Sequence, residues 1–306
     1  MATVSPSPGL GGYDGTSPTK PTFPVRQTAA VTDIEALAWG YGLVEGPRAD
    51  DLGNLYFSDV HKGGVYRHRP DGTIDLVVPK RRGVGGIALH ADGGLVMSGR
   101  NICHVRDGET RIVFAPEAPG LNDLFVDQRG RVICGTMRSD PFAMEGPRTP
   151  GECWLIDADA DAVELYGNVA LTNGIGLSPD GSVLYHSDTT QGVWAHDYHD
   201  GKVSGRRMFL PSDTVAPDGL AVDESGVVWV ADVSGTGAAR GFAPDGSEVA
   251  RVEVPARMVT SLCFGGADRR DMYVVTGDNT IDEQRGGTIY RTRADVPGCP
   301  IALATV

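Results

Sequence analysis

One register, repeated along the chain, constrains it more than any other feature. Glu45, Gly85, Asn122, Asn173 and Asp218 each stand eight residues before a glycine, at Gly53, Gly93, Gly130, Gly181 and Gly226. Thr260 stands eight before Asp268 in a weaker sixth copy. Between opener and turn lies a mostly apolar run, such as Ile87-Ala88-Leu89 or Leu220-Ala221-Val222. After the turn comes a second, such as Leu55-Tyr56-Phe57 or Met272-Tyr273-Val274-Val275. Short β-branched and aromatic runs bounded by turn residues are strand signals, and a period of about 40–50 residues is that of propeller blades.

Most copies continue with a third and a fourth run. In the first these are Val65-Tyr66-Arg67 and Ile74-Asp75-Leu76-Val77, joined by Pro70-Asp71-Gly72. No segment sustains a 3.6-residue periodicity long enough for a core helix. The expected fold is all-β: a six-bladed propeller with four-stranded antiparallel blades around a central, metal-containing channel. Residues 1–27, with Ser5-Pro6-Ser7-Pro8 and Gly11-Gly12, read as a mobile arm, and residues 28–306 as one propeller domain. Either Ile34-Glu35-Ala36-Leu37 or Ile301 to Val306 could supply the outer strand that closes the last blade.

Consecutive strands of a blade run antiparallel, so the openers share a face with the exits of the second strands. Those exits include Ser58-Asp59-Val60-His61, Thr136-Met137-Arg138, Ser187-Asp188-Thr189 and Thr276-Gly277-Asp278-Asn279. The longest insertion, Arg138 to Glu152, follows one of them, and long loops on one face mark a working side. His61, Met137 and Arg138 are therefore candidate substrate contacts.

Four openers carry oxygen donors: Glu45, Asn122, Asn173 and Asp218. Facing one another around an axis, they suit a hard cation such as Ca²⁺, which takes oxygen ligands. No opener is His or Cys, which argues against a softer metal. Asp before Gly is ordinarily a turn former, as in Pro179-Asp180-Gly181 and Pro244-Asp245-Gly246. Pro217-Asp218-Gly219 stands in a different register, at the start of a blade. Gly46, Gly86, Gly174 and Gly219 follow their openers and fit close backbone approach at the axis. Asp123 breaks that pattern and becomes a candidate base. Gly85 and Thr260 are expected to leave room for substrate.

Bulk properties remove other classes. A net charge of −13 over 306 residues offers no basic footprint for nucleic acid. No stretch approaches the ~20 apolar residues of a membrane span. The five cysteines form no CxxC pair and read as buried thiols of a reducing, cytoplasmic setting; no secretory signal precedes them. A G-x-S-x-G elbow, a Walker loop and a dinucleotide fingerprint are all missing.

Glu45-Gly46-Pro47, Asn122-Asp123, Gly135-Thr136-Met137, Thr172-Asn173-Gly174-Ile175 and Pro217-Asp218-Gly219-Leu220 occur in an order that resembles the senescence-marker-protein/gluconolactonase/luciferin-regenerating family. The resemblance covers nearly the whole chain after residue 30 or so. It implies one divalent cation at the top of the channel: calcium first, with zinc, manganese or magnesium as alternatives. The family's ligands match Glu45, Asn173 and Asp218, and the residue matching Asn122 contacts substrate or completes the shell. The implied activity is hydrolysis of a small-molecule lactone, with Asp218 or Asp123 taking a proton from the attacking water. Hydrolysis of phosphotriesters or aryl esters on the same metal, and a non-enzymatic cation-binding propeller, are the alternatives. Sugar-lactone members often carry an arginine just before the Asn-Asp pair, where this chain has Pro119-Gly120-Leu121. That departure points to a less polar ring.

Overall fold

The left-handed conformation explains the repeated glycine. Gly53, Gly93, Gly130, Gly181 and Gly226 have φ of 80°, 88°, 80°, 71° and 86°, a region costly for side chains with a Cβ. At these turns an aspartate accepts backbone amides, as Asp127 does from Arg129 and Arg131 and Asp223 from Ser225 and Val227. In the sixth copy the left-handed residue is Arg269, with φ of 54°. The repeat is thus a hairpin signature: eight residues separate the start of an inner strand from its turn.

The structure is a computed structural model that describes residues 33–142, 146–277 and 285–306. The expected arm lies outside the described residues, as do Asp278 and Asn279. Six four-stranded antiparallel sheets form the six blades. From the inside outward, the first comprises Val44–Ala49, Leu55–Asp59, Val65–His68 and Ile74–Val78. The inner strands of the next four are Ile87–Leu89, Gly120–Val126, Thr172–Leu177 and Pro217–Val222. The sixth runs Val259–Gly265, Asp271–Thr276, Gly287–Arg293 and then Glu35–Tyr41. Each inner strand touches the next, and the sixth touches the first, so the ring closes.

Of the two segments considered for the closing strand, the N-terminal one takes the place: Glu35 pairs with Arg291 and Tyr41 with Gly287. The other segment does something different. Gly298 and Cys299 donate their amides to the carbonyls of Arg269 and Val222, and Ala304 and Thr305 to those of Leu89 and Gly130. The chain therefore straps the channel on the turn face, from the fifth and sixth blades across to the second and third.

The core lies between blades. Leu55 and Phe57 of the first pack with Cys263, Tyr273 and Val275 of the sixth. Trp229, Ala239 and Val252 of the fifth pack with Leu262, Met272 and Val274 of the sixth. Such a seam fixes blade against blade, because truncating a fully buried side chain like Phe57 costs ~3–5 kcal/mol. All five cysteines are free, and four are buried.

Candidate metal centre

Five of the six openers sit at or beside a break in their ladder. In five inner strands the register slips by one residue beside the opener: between Glu45 and Arg48, Leu121 and Leu124, Thr172 and Ile175, Pro217 and Leu220, and Val259 and Ser261. Bulges of this kind re-aim a side chain, and they recur beside active sites. In three blades the slip falls on the donor and the residue after it, at Asn122, Asn173 and Asp218; in the first it falls on Gly46 and Pro47, just after Glu45. The repeated position is therefore a repeated bulge.

The following glycines let neighbouring bulges approach. A Cβ on Gly174 would lie 2.3 Å from the Leu220 amide nitrogen, and one on Gly219 would lie 2.1 Å from Ser261 Oγ. Gly85 does not leave space for substrate as expected. A Cβ there would stand 1.9 Å from Asn122 Oδ1, so the Asn122 amide already fills the gap. Thr260 is also otherwise engaged: it is buried, and its hydroxyl donates to the Val44 carbonyl at 2.6 Å, joining the sixth blade to the first.

The Asn173 amide has a defined orientation. Thr189 Oγ1 donates to the Pro217 carbonyl at 2.8 Å, which leaves it only as an acceptor for Asn173 Nδ2 at 2.6 Å. Asn173 Oδ1 consequently faces the other way, where it accepts from Asn122 Nδ2. Asn122 Nδ2 also donates to the Thr172 carbonyl at 2.9 Å.

Buried carboxylates in this protein fall into two groups. Asp59, Asp188, Asp223 and Asp232 are at most 3% exposed. Each accepts backbone amides: Asp59 those of Gly42, His61 and Lys62, Asp188 those of Ala170 and Thr190. Asp223 takes Ser225 and Val227, and Asp232 takes Ser234. These are structural caps. Glu45 and Asp218, 8% and 9% exposed, form no ion pair and no side-chain hydrogen bond with another side chain among the described residues. Burial, then the charge of Asp218, then that of Asp123, push the Glu45 carboxyl well above its ordinary range, against the Gly46 amide, which pulls it down. Burial and then Asp123 do the same to Asp218. Asp123 is pushed up to about 6 by burial, against the Leu124 amide and Arg48, which pull it down.

Buried, mutually repelling carboxylates are costly unless protonated or matched by positive charge. Among the described residues no group of three or more His, Cys, Asp or Glu gathers into a metal-binding cluster. The donor set is instead the Glu45 and Asp218 carboxylates and the Asn173 amide oxygen, all hard donors. That set fits a dication of the calcium type, with the rest of its coordination open to water or substrate.

The sign of the pH dependence follows. A carboxylate whose folded pKa is raised binds protons more tightly in the native state than in the unfolded one. Without cation, this cluster therefore favours the fold at low pH and penalises it as pH climbs from about 4 through about 6. Chelator-treated protein should lose melting temperature between pH 5 and 7, and added CaCl₂ should restore more at pH 7 than at pH 5. Equal calcium increments at both pH values, read by thermal melting, would refute the assignment.

The other expected contacts are dispersed. His61 is exposed on the opener face, and its ring centroid lies 5.3 Å from that of Phe142 in the long insertion. Met137 is half-buried at its strand exit, 3.7 Å from where a Cβ on Gly120 would be. Arg138 is committed elsewhere: Nε donates to Glu152 at 2.7 Å and Nη1 to the Glu117 carbonyl at 3.0 Å. A cavity of about 310 Å³ occupies the channel beneath the bulges. It is lined by Arg48, Asp123, Leu124, Ile175 and Leu220 and floored by residues 299–303. None of the four donor openers lines it, whereas Asp123 does. Thr189 and Arg48 escaped the sequence reading; Thr189 lay within a recognised strand exit, but nothing in the sequence marks Arg48.

This geometry defines a six-bladed propeller with two buried, mutually repelling carboxylates, Glu45 and Asp218, and an Asn122–Asn173 amide pair at its inner strands. Residues 43–278 match the SMP-30/Gluconolactonase/LRE-like region, and the chain belongs to that family. It is 33% identical over 272 residues to pentonolactonase XacC of Haloferax volcanii, covering 82% of this chain and 90% of that protein. It is 30% identical over 266 residues to 6-deoxy-6-sulfogluconolactonase of Pseudomonas putida, covering 80% and 88%. The calcium-binding protein regucalcin of Agrobacterium tumefaciens shares the fold, with a TM-score of 0.80 at 21% identity over 92% of this chain and 100% of that one.

Proposed function

We propose that this protein is a cation-dependent lactone hydrolase working on the opener face. The observation that carries the proposal is the pair of buried carboxylates, Glu45 and Asp218, without a matching cation among the described side chains. Glu45, Asp218 and Asn173 would hold the cation, with Asn122 beside them. A divalent cation bound there supplies Lewis-acid polarisation of a lactone carbonyl. Calcium is the ion that the all-oxygen set favours.

Asp218 is the group that takes the proton from the attacking water. It lies outside the chamber that Asp123 lines. Cation binding lowers a carboxylate's basicity, and here burial and the charge of Asp123 work in the opposite direction. Asp123 is then a positioning charge that keeps Asp218 basic. Asp123→Asn should shift the acid limb of the kcat/KM profile to lower pH, with a smaller loss of rate than Asp218→Asn causes. An unmoved acid limb would remove Asp123 from this role.

Two apolar side chains, Met137 and Phe142, stand on the rim beside the third blade. Met137 lies over Gly120, and Phe142 meets His61. Both features support a lactone with fewer hydroxyls than an aldonolactone. The direct test is a panel of glucono- and pentonolactones, alkyl-substituted γ- and δ-lactones, aromatic lactones and a phosphotriester, assayed with calcium, after chelation and after calcium is returned. Turnover should be confined to lactones, be lost on chelation and favour alkyl or aromatic rings. No lactone turnover in calcium-loaded protein would overturn the proposal. The free thiols support a reducing, cytoplasmic setting as part of it.

A further inference from the structure

Behind the Asn173 bulge, the seam between the third and fourth blades contains a polar chain that the hydrolytic scheme does not use. His186 is 1% exposed. Its Nδ1 lies 2.8 Å from the Tyr166 hydroxyl and its Nε2 2.8 Å from Thr172 Oγ1. Tyr166 comes from the outer strand of the third blade, while Thr172 and His186 belong to the fourth. The Tyr166 ring is stacked on His196 at 4.0 Å, and Arg206 lies over it at 5.8 Å. Gly135 admits the threonine, since a Cβ there would stand 1.8 Å from Thr172 Oγ1.

The repeat shows how unusual this is. The residues that correspond to Thr172, just before the other slipping openers, are Val44, Leu121, Pro217 and Val259. Those corresponding to His186, opposite the first residue after the slip, are Tyr56, Cys134, Val230 and Val275. Elsewhere the position before the opener is apolar and the facing one carries no imidazole. In the fourth blade both are polar and buried, which lowers stability unless every polar atom finds a partner. Burial, with His196 and Arg206 adding to it, pushes the His186 pKa down to about 3. The imidazole is therefore neutral, with one donor nitrogen and one acceptor to pair.

Thr172 is the last paired residue before the bulge: it faces Asp188, and pairing resumes at Ile175 with His186. Its carbonyl receives the Asn122 amide, and the next residue is Asn173. A rotation at Thr172 therefore moves both amides of the centre. From these contacts we propose that Tyr166, His186 and Thr172 form a positioning relay that sets the Asn122–Asn173 amide pair for the cation. This rests on the proposed function, since it needs a cation at that centre.

The test uses the full chain, with CaCl₂ alone as titrant in calorimetry and circular dichroism to confirm the fold. Thr172→Val keeps the shape and removes the hydroxyl, whereas Thr172→Ser keeps the hydroxyl. Partners of metal ligands are worth about 10–100-fold in affinity, so Thr172→Val should weaken calcium by that factor and Thr172→Ser by less than about threefold. Tyr166→Phe should also weaken it, and carries the test should Thr172→Val not fold. Saturating calcium should return most of the lost kcat in both, a recovery that a general loss of packing would not give. Folded Thr172→Val and Tyr166→Phe proteins with wild-type calcium affinity would overturn the relay and leave the hydrolytic proposal standing. A wild-type protein that binds no calcium would overturn both.

Discussion

Asp218→Asn should lower lactone kcat/KM by about a thousandfold, the scale expected when a positioned proton acceptor is lost, with weakened cation binding adding to it. The same substitution should stabilise the chelated protein. Asp218 is buried, lacks a cationic partner and is pushed upward by Asp123, so the neutral amide relieves a penalty that the wild type bears. A gain of roughly 1 kcal/mol corresponds to about 1.5–2 °C in a domain of this size. Activity and stability thus move in opposite directions, which separates a functional carboxylate from a structural one. Asp188→Asn is the control with the other sign. Its carboxylate accepts the Ala170 and Thr190 amides, so the substitution weakens a cap and should lower the melting temperature with calcium present or absent. An Asp218→Asn protein that hydrolyses lactones at the wild-type rate, or melts lower than wild type after chelation, would place Asp218 among the caps.

The difference between those aspartates marks where the sequence stops being legible. Asp188 and Asp218 both stand at strand ends on the same face. Their spacing relative to the turn glycine distinguishes them, because the left-handed turn locks the hairpin register. The opener positions and their donors could therefore be read from one strand at a time. A bulge cannot, since it is a property of two strands in register, and nothing local to Asn173-Gly174 states that the pair opposes a single residue of Val183–Asp188. The Gly85 position failed for a related reason. A glycine looks like open space in sequence, but the Asn122 amide of the next blade enters it. Arg138 fell short because its partner Glu152 lies across a long insertion. The closing strand was undecided because two short apolar segments were equally suited to the free edge. Only the pairing of Glu35 with Arg291, more than 250 residues apart, decides between them.

Gly174→Ala tests that inter-blade geometry and should have the largest structural effect of any single methyl group at the centre. The added Cβ would lie 2.3 Å from the Leu220 amide nitrogen, 2.6 Å from the Gly219 carbonyl carbon and 2.8 Å from the Asp218 carbonyl oxygen. All three are backbone atoms of the fifth blade, so no side-chain rotation relieves the contact. The fourth and fifth inner strands must separate, and overpacking of this kind costs ~1–3 kcal/mol. The separation falls between Asn173 and Asp218, which the cation is proposed to join. Calcium affinity should therefore fall by at least about tenfold, since a cation site needs its ligands at defined distances. Gly167→Ala is the matched control: its Cβ would meet nothing closer than Glu164 Oε1 at 3.7 Å, and both stability and calcium binding should stay near wild type. Chemical denaturation gives the first quantity and calorimetry with CaCl₂ the second. Were Gly174→Ala to lose stability and yet bind calcium normally, the cation would not bridge the fourth and fifth blades, and the donors would have to come from Glu45 and its nearer neighbours.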